Sequence, residues 1–222
     1  LQQAQERLGR STLFVYVAAD VYRLPFVDVR FDASLMVRVI HPIVDPRAAL
    51  KCIHASLRPG SALVLEFANK RNVKAIMRYW LGLQSWNPFS QESVELTRLN
   101  FNFHPRSIRS WLREVGFTIV QQRSLSYFRL PALKRIVPTE WLSSIDAALQ
   151  PSGARWQLTP SVMLCASAHR GGPTAPPKAF FRCPHCTSTE LSNRKSEIHC
   201  PNCGCICIVR DGIYDFREPQ LF

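Results

Sequence analysis

The apolar positions of the first 168 residues alternate between two periods. Residues 1–8 are polar and helix-prone and read as the end of a helix. Residues 12–18 are β-branched and aromatic, the composition of a strand. Residues 31–39 form a near-continuous apolar run, as expected of a strand buried on both faces. Between Asp45 and Leu57 the apolar residues Ala48, Ala49, Ile53 and Leu57 recur at a helical period. Arg58-Pro59-Gly60 breaks that helix, and residues 62–67 follow as a second buried strand. Residues 105–115 read as a helix ended by Gly116, with further strands at 117–122 and 162–168. This alternation predicts an α/β fold, a parallel-type sheet with helices on both faces. Ligands of such sheets sit beyond the carboxyl ends of the strands, which singles out Asp20-Val21, Val37 to His41 and Glu66 to Arg71.

The rhythm stops at residues 169–179, which hold two Gly and three Pro in eleven positions. Neither a helix nor a central strand can run through them, so they read as a linker. The expected organisation is a domain over residues 1–168, the linker, and a small ribbon over 180–222. Six of the eight cysteines fall in that ribbon. Cys183-Pro-His-Cys186 and Cys200-Pro-Asn-Cys203 stand thirteen residues apart, with Gly204 after the second pair. Two such knuckles at this spacing place four thiolates tetrahedrally around one zinc ion. Disulfides or free thiols are the alternative. Cys205 and Cys207 alternate along a strand and read as non-ligands, and His185 and His199 as bystanders. A ribbon of this size buries too little to fold without a metal. Clustered rather than spread cysteines fit a reducing, cytoplasmic setting.

Composition adds that the chain is globular: 46% of its 222 residues are hydrophobic and 20% charged. No apolar run reaches the roughly 18 residues that span a bilayer. The net charge of +12 lies entirely before Phe180, and residues 68–139 hold twelve Lys/Arg against Glu92, Glu95 and Glu114. A basic surface suits anionic partners, or is simply solvated.

Three ordered elements then narrow the function: Ala19-Asp20-Val21-Tyr22-Arg23-Leu24-Pro25-Phe26, Phe31-Asp32, and Leu57-Arg58-Pro59-Gly60 ahead of a strand. Together they resemble the class I S-adenosylmethionine-dependent methyltransferases, in the bacterial type 11 subgroup whose signature reads A-D-x-x-x-L-P-F, F-D and L-R-P-G-G. The resemblance covers residues 1–168. It implies a Rossmann-like sheet and transfer of a methyl group from S-adenosylmethionine. It implies that Asp20 and Val21 contact the adenine, and that Val37, Arg38 and Val39 line the methionine part of the cofactor. A loop-capping carboxylate is the other reading of Asp20. The ending from Val209 to Arg217 resembles the small zinc ribbons that activate tRNA and protein methyltransferases as a separate subunit, with Tyr214 where those have Pro.

The family's opening strand, its G-x-G-x-G loop and the acidic end of its second strand have no counterpart here, which reads as a sequence truncated at its N-terminus. No catalytic residue is identified. His41 follows the strand that resembles the active-site edge, as a general base or an ordinary histidine at a helix start. Residues 70–104 interleave Trp80, Trp86, Phe89, Phe101 and Phe103 with basic side chains, the composition of a cover over the substrate or of packed core. A small-molecule acceptor is expected first and RNA second. A non-enzymatic binding module, with a degenerate methyltransferase scaffold and the ribbon as a protein adaptor, is the competing class.

Overall fold

The computed structural model describes residues 1–128, 135–169, 179–194 and 196–220. Of the expected linker only His169 and Ala179 fall among them. In chain order the elements are α1 (Gln2–Leu8), β1 (Tyr16–Ala18), β2 (Phe31–Met36), α2 (Pro46–Ser56), β3 (Leu57–Ala68) and α3 (Val73–Trp80). Then come β4 (Val94–Thr97), β5 (Asn100–Asn102), α4 (Pro105–Val115), β6 (Phe117–Leu125) and α5 (Thr139–Leu149). A 3-10 turn (Gln150–Ala154) leads to β7 (Ser161–Ala168), and β8 (Ser192–Arg194), β9 (Glu197–His199), β10 (Ile206–Arg210) and β11 (Ile213–Gln220) complete the chain. They form two units, Phe31–Gly171 and Leu1–Arg30 with Gly172–Phe222.

The first of these units is built on a four-stranded sheet of order β2-β3-β7-β6. Its core runs along the two central strands, where Leu63, Leu65 and Phe67 of β3 and Val162, Leu164 and Ala168 of β7 are fully buried. Burying each large aliphatic or aromatic side chain contributes about 1.5–3 kcal/mol, which makes this strand pair the stable centre of the unit. Helix α2 starts where the Asp45 side chain accepts from Ala48 N–H at 3.0 Å, with Pro46 in the first turn. It buries Ala49, Leu50 and Ile53, and α4 buries Ile108 and Leu112. Gly116 ends α4 in the left-handed region at φ 110°, as the sequence predicts.

Two expectations change. β2, β3 and β6 run in one direction, whereas β7 enters antiparallel between β3 and β6, so the sheet is mixed. A doubly buried strand reads the same in either direction, so its polarity is not written in the apolar pattern. Nor is β2 buried on both faces: it is an edge strand bonded to β3, and Leu35 is 68% exposed.

In the other unit, β8 to β11 form an antiparallel ribbon, and β1 adds to it in parallel with β11 in the order β1-β11-β10-β9-β8. Tyr16 stands opposite Ile213, Val17 opposite Tyr214 and Ala18 opposite Asp215. Residues after β1 continue the contact. Phe26 pairs with Phe181 across an isolated bridge and lies against the Phe180 and Phe181 rings. Arg182 donates its backbone N–H to Pro25 O and its guanidinium to Asp28 Oδ1, both at 2.9 Å. Residues 1–30 are expected with the first domain; in the structure they pack with residues 172–222. The physical cause is that the backbone groups of β1 are satisfied by the ribbon.

Candidate functional sites

In the Phe31–Gly171 unit an open cavity of about 360 Å3 is lined by Arg38, His41, Glu66, Asn72, Asn100, Asn102 and Ser161, among others. Its floor is the carboxyl end of β3. Glu66, 5% exposed, accepts from the backbone N–H of Arg38 at 2.9 Å and from the Ser161 hydroxyl in a short contact. Arg38 sits at φ 57°, a left-handed conformation uncommon for a side chain of its kind, and the Glu66 bond holds it there. The segment after β2 is thus turned by a buried carboxylate on the neighbouring strand. His41 O accepts from Phe101 N–H at 3.0 Å, which ties the β4–β5 hairpin to the cavity. His41 Nδ1 is buried and has no hydrogen-bond partner among the described residues.

Of the residues flagged by sequence, Arg38 and His41 line this cavity, whereas Val37 and Val39 flank Arg38 with exposed side chains. Glu66 lay in a flagged segment. Asn72, Asn100, Asn102 and Ser161 were not found. Asn72 could have been, since its side chain caps α3 by accepting from Ala75 N–H at 3.0 Å, an ordinary cap signal. The remaining three come together only through tertiary folding.

Asp20 lies in the other unit, in the loop after β1. Its Oδ1 accepts from Tyr22 N–H at 2.9 Å and its Oδ2 from Arg23 Nε at 3.4 Å. That is the loop-capping arrangement considered from the sequence. A carboxylate has about four acceptor positions, so further donors can be accommodated. Val21 follows within the same turn. The other two motif elements meet inside the Phe31–Gly171 unit: Arg58 Nη1 bonds Asp32 Oδ1 at 2.6 Å, and Phe31 stands opposite Leu57 in the β2–β3 ladder. F-D and L-R-P-G are joined as a strand-pairing clasp.

The sulfurs of Cys183, Cys186, Cys200 and Cys203 all lie within 4.8 Å of one another, with Cys183 to Cys203 at 3.6 Å and Cys186 to Cys200 at 3.5 Å. Four thiolates at about 2.3 Å from a tetrahedral ion would stand about 3.8 Å apart, so the donor set fits zinc. The two knuckles are built alike. Cys183 N–H donates to Ser188 O and Thr187 N–H to Cys183 O; Cys200 N–H donates to Cys205 O and Gly204 N–H to Cys200 O. Thr187 and Gly204 occupy equivalent left-handed positions at φ 62° and 72°. Cys205 and Cys207 are buried beside Ile198 and Phe216, and burial pushes their thiols up to about 12 and about 11. They behave as small apolar side chains.

Residues 1–65 match the methyltransferase domain family. The chain is 28% identical over 136 residues to a demethylmenaquinone methyltransferase of Clavibacter sepedonicus, covering 57% of this chain and 56% of that protein. It is 31% identical over 85 residues to a malonyl-[acyl-carrier protein] O-methyltransferase of Pseudescherichia vulneris, covering 38% and 33%. Among solved structures, a putative S-adenosylmethionine-dependent methyltransferase from Listeria monocytogenes superposes with a TM-score of 0.48 at 12% identity, covering 76% of this chain and 75% of that one. The chain spans about half the length of the demethylmenaquinone methyltransferases it matches. The match to the methyltransferase domain family covers residues 1–65, where the three ordered motifs lie.

Proposed function

We propose that the protein of which this chain is part transfers a methyl group from S-adenosylmethionine to a small molecule. The observation that carries this reading is the ordered motif set between Ala19 and Gly60, inside the 65 residues that match the methyltransferase domain family. The bound cofactor supplies an electrophilic methyl group. The residues of this chain do the rest by binding and orientation. Asp20 accepts from the adenine amine and Val21 offers its backbone N–H. The Val37-Arg38-Val39 segment holds the methionine end, in the fixed turn that Glu66 imposes on Arg38. The acceptor sits in the cavity beside Asn100 and Asn102, whose amides orient it, and beside His41, whose imidazole takes up a released proton.

Binding of S-adenosylhomocysteine to the full-length protein, followed by calorimetry, tests the reading. Asp20→Ala should weaken it about tenfold, the size of one charge-assisted hydrogen bond. Unchanged affinity removes Asp20 from the site, and no binding by the unaltered protein favours a binding module instead.

The second part of the proposal is a structural zinc ion on Cys183, Cys186, Cys200 and Cys203. Four thiolates leave no open position for water or substrate, so the ion folds the ribbon. Cys200→Ser should lose zinc and Cys205→Ser should retain it, as read by metal analysis of the purified proteins. The reverse pattern overturns the ligand set.

A further inference from the structure

Helix α3 turns one face inward and leaves another bare. Ala75 is buried, Ile76 and Tyr79 are half-buried, and the Tyr79 ring meets Phe89 edge-on at 6.4 Å. On the far side Val73, Met77, Trp80 and Leu81 recur at i, i+4, i+7 and i+8, one stripe of a helix, and all are exposed. Trp80 is 73% and Leu81 67% exposed, and Leu83 continues the stripe beyond the helix. At the other end Val73 N–H donates to Leu158 O at 2.9 Å, which brings a further exposed apolar residue alongside. A contiguous apolar surface of this kind marks a contact with something less polar than water.

The charges around the stripe select the partner. Lys74 and Arg78 border it on the helical wheel and are exposed, and residues 70–83 contain four basic side chains and no carboxylate. The chain as a whole carries +12. Two copies meeting face to face across this stripe would bring their basic borders together, which disfavours a symmetric dimer. An anionic lipid surface satisfies both halves. The apolar stripe enters the acyl boundary, the indole sits at headgroup level, and the basic side chains reach the phosphates. The 8 residues of α3 rise only about 12 Å, too short to cross a bilayer, so the contact lies along the surface.

We propose that α3, with Leu81 and Leu83, docks this protein on an anionic bilayer with the helix lying in the interface plane. Co-sedimentation of the full chain with vesicles of mixed phosphatidylglycerol and phosphatidylcholine, and with vesicles of phosphatidylcholine alone, tests it. The protein should partition onto the mixed vesicles, less onto the neutral ones, and less again as salt is raised. Trp80→Ser/Leu81→Ser and Lys74→Glu/Arg78→Glu should each lower the partition coefficient about tenfold or more. All four side chains are exposed, and thermal melting checks that both variants stay folded. Absence of binding to the mixed vesicles overturns the proposal. So does equal binding by the Trp80/Leu81 variant, which would reduce the effect to charge alone. A concentration-dependent dimer abolished by that variant, with vesicles left unbound, assigns the face to a second copy.

Discussion

Thr187 shows how much of the four-cysteine cluster is decided by single backbone positions. Equivalent residues of the two knuckles are Gly204, which enters the left-handed region freely, and Thr187, a β-branched residue held there at φ 62°. Its hydroxyl donates to Cys186 O at 2.6 Å, a local bond that offsets part of the strain. Replacing Thr187 with Gly should relieve that strain and stabilise the ribbon by about 0.5–1 kcal/mol, less the entropy glycine adds to the unfolded chain. Chelator competition should then show slower zinc loss, and faster loss would mean that the hydroxyl outweighs the backbone. The sequence exposed half of this symmetry. Gly204 announces a turn by its type, whereas Thr187 takes the same conformation with no glycine to mark it. Arg38 is the same case at the cavity: only the contact with Glu66, 28 residues away, reveals its turn.

Helix α4 carries its own pH dependence. His104 precedes it and caps it, its Nδ1 accepting from Arg106 N–H at 3.1 Å, and the residue is 3% exposed. An imidazole that accepts at Nδ1 is neutral and carries its proton on Nε2. Burial, followed by the charges of Arg71, Arg106, Lys70 and Arg109, pushes its pKa down to about 4. The folded state therefore excludes a proton that the unfolded chain binds below about 6.5. Between those values the unfolded chain holds more protons, so stability is full above about pH 6.5 and falls as the pH drops towards 4. Urea midpoints measured across that window should decline in the unaltered protein. His104→Asn keeps a capping side chain without the titration and should show a flatter profile. An identical decline in both would place the sensitivity elsewhere. The helix itself was legible, because Pro105 and Gly116 punctuate it and Ile108 and Leu112 give its period. The role of His104 was not, since a histidine before a proline carries no mark of its burial.

At the scale of the whole chain, the α/β character, the order of elements and the cysteine cluster follow from local pattern. The partner of β1 does not. A three-residue strand has too little sequence to specify which edge it joins, and register between residues 16 and 213 is a long-range property. This pairing changes what metal removal should do. A ribbon bounded at residue 180 would unfold by itself and leave everything before it intact. In the structure Val17 and Ala19 pack on the cluster of Cys183, Ile198, Cys200 and Phe216, and Arg182 holds the backbone of Pro25 and the carboxylate of Asp28. Folding energy supplied by the proposed zinc ion would then be shared by residues 1–30. Hydrogen exchange before and after chelation should show protection lost at Val27, whose N–H donates to Phe180 O, together with β1, β10 and β11. The β3–β7 ladder, whose Leu63, Leu65, Val162 and Leu164 are buried, should keep its protection. Loss confined to residues after 179 would show that β1 holds its place without the metal. Loss throughout β3 and β7 would show that the two units fold as one.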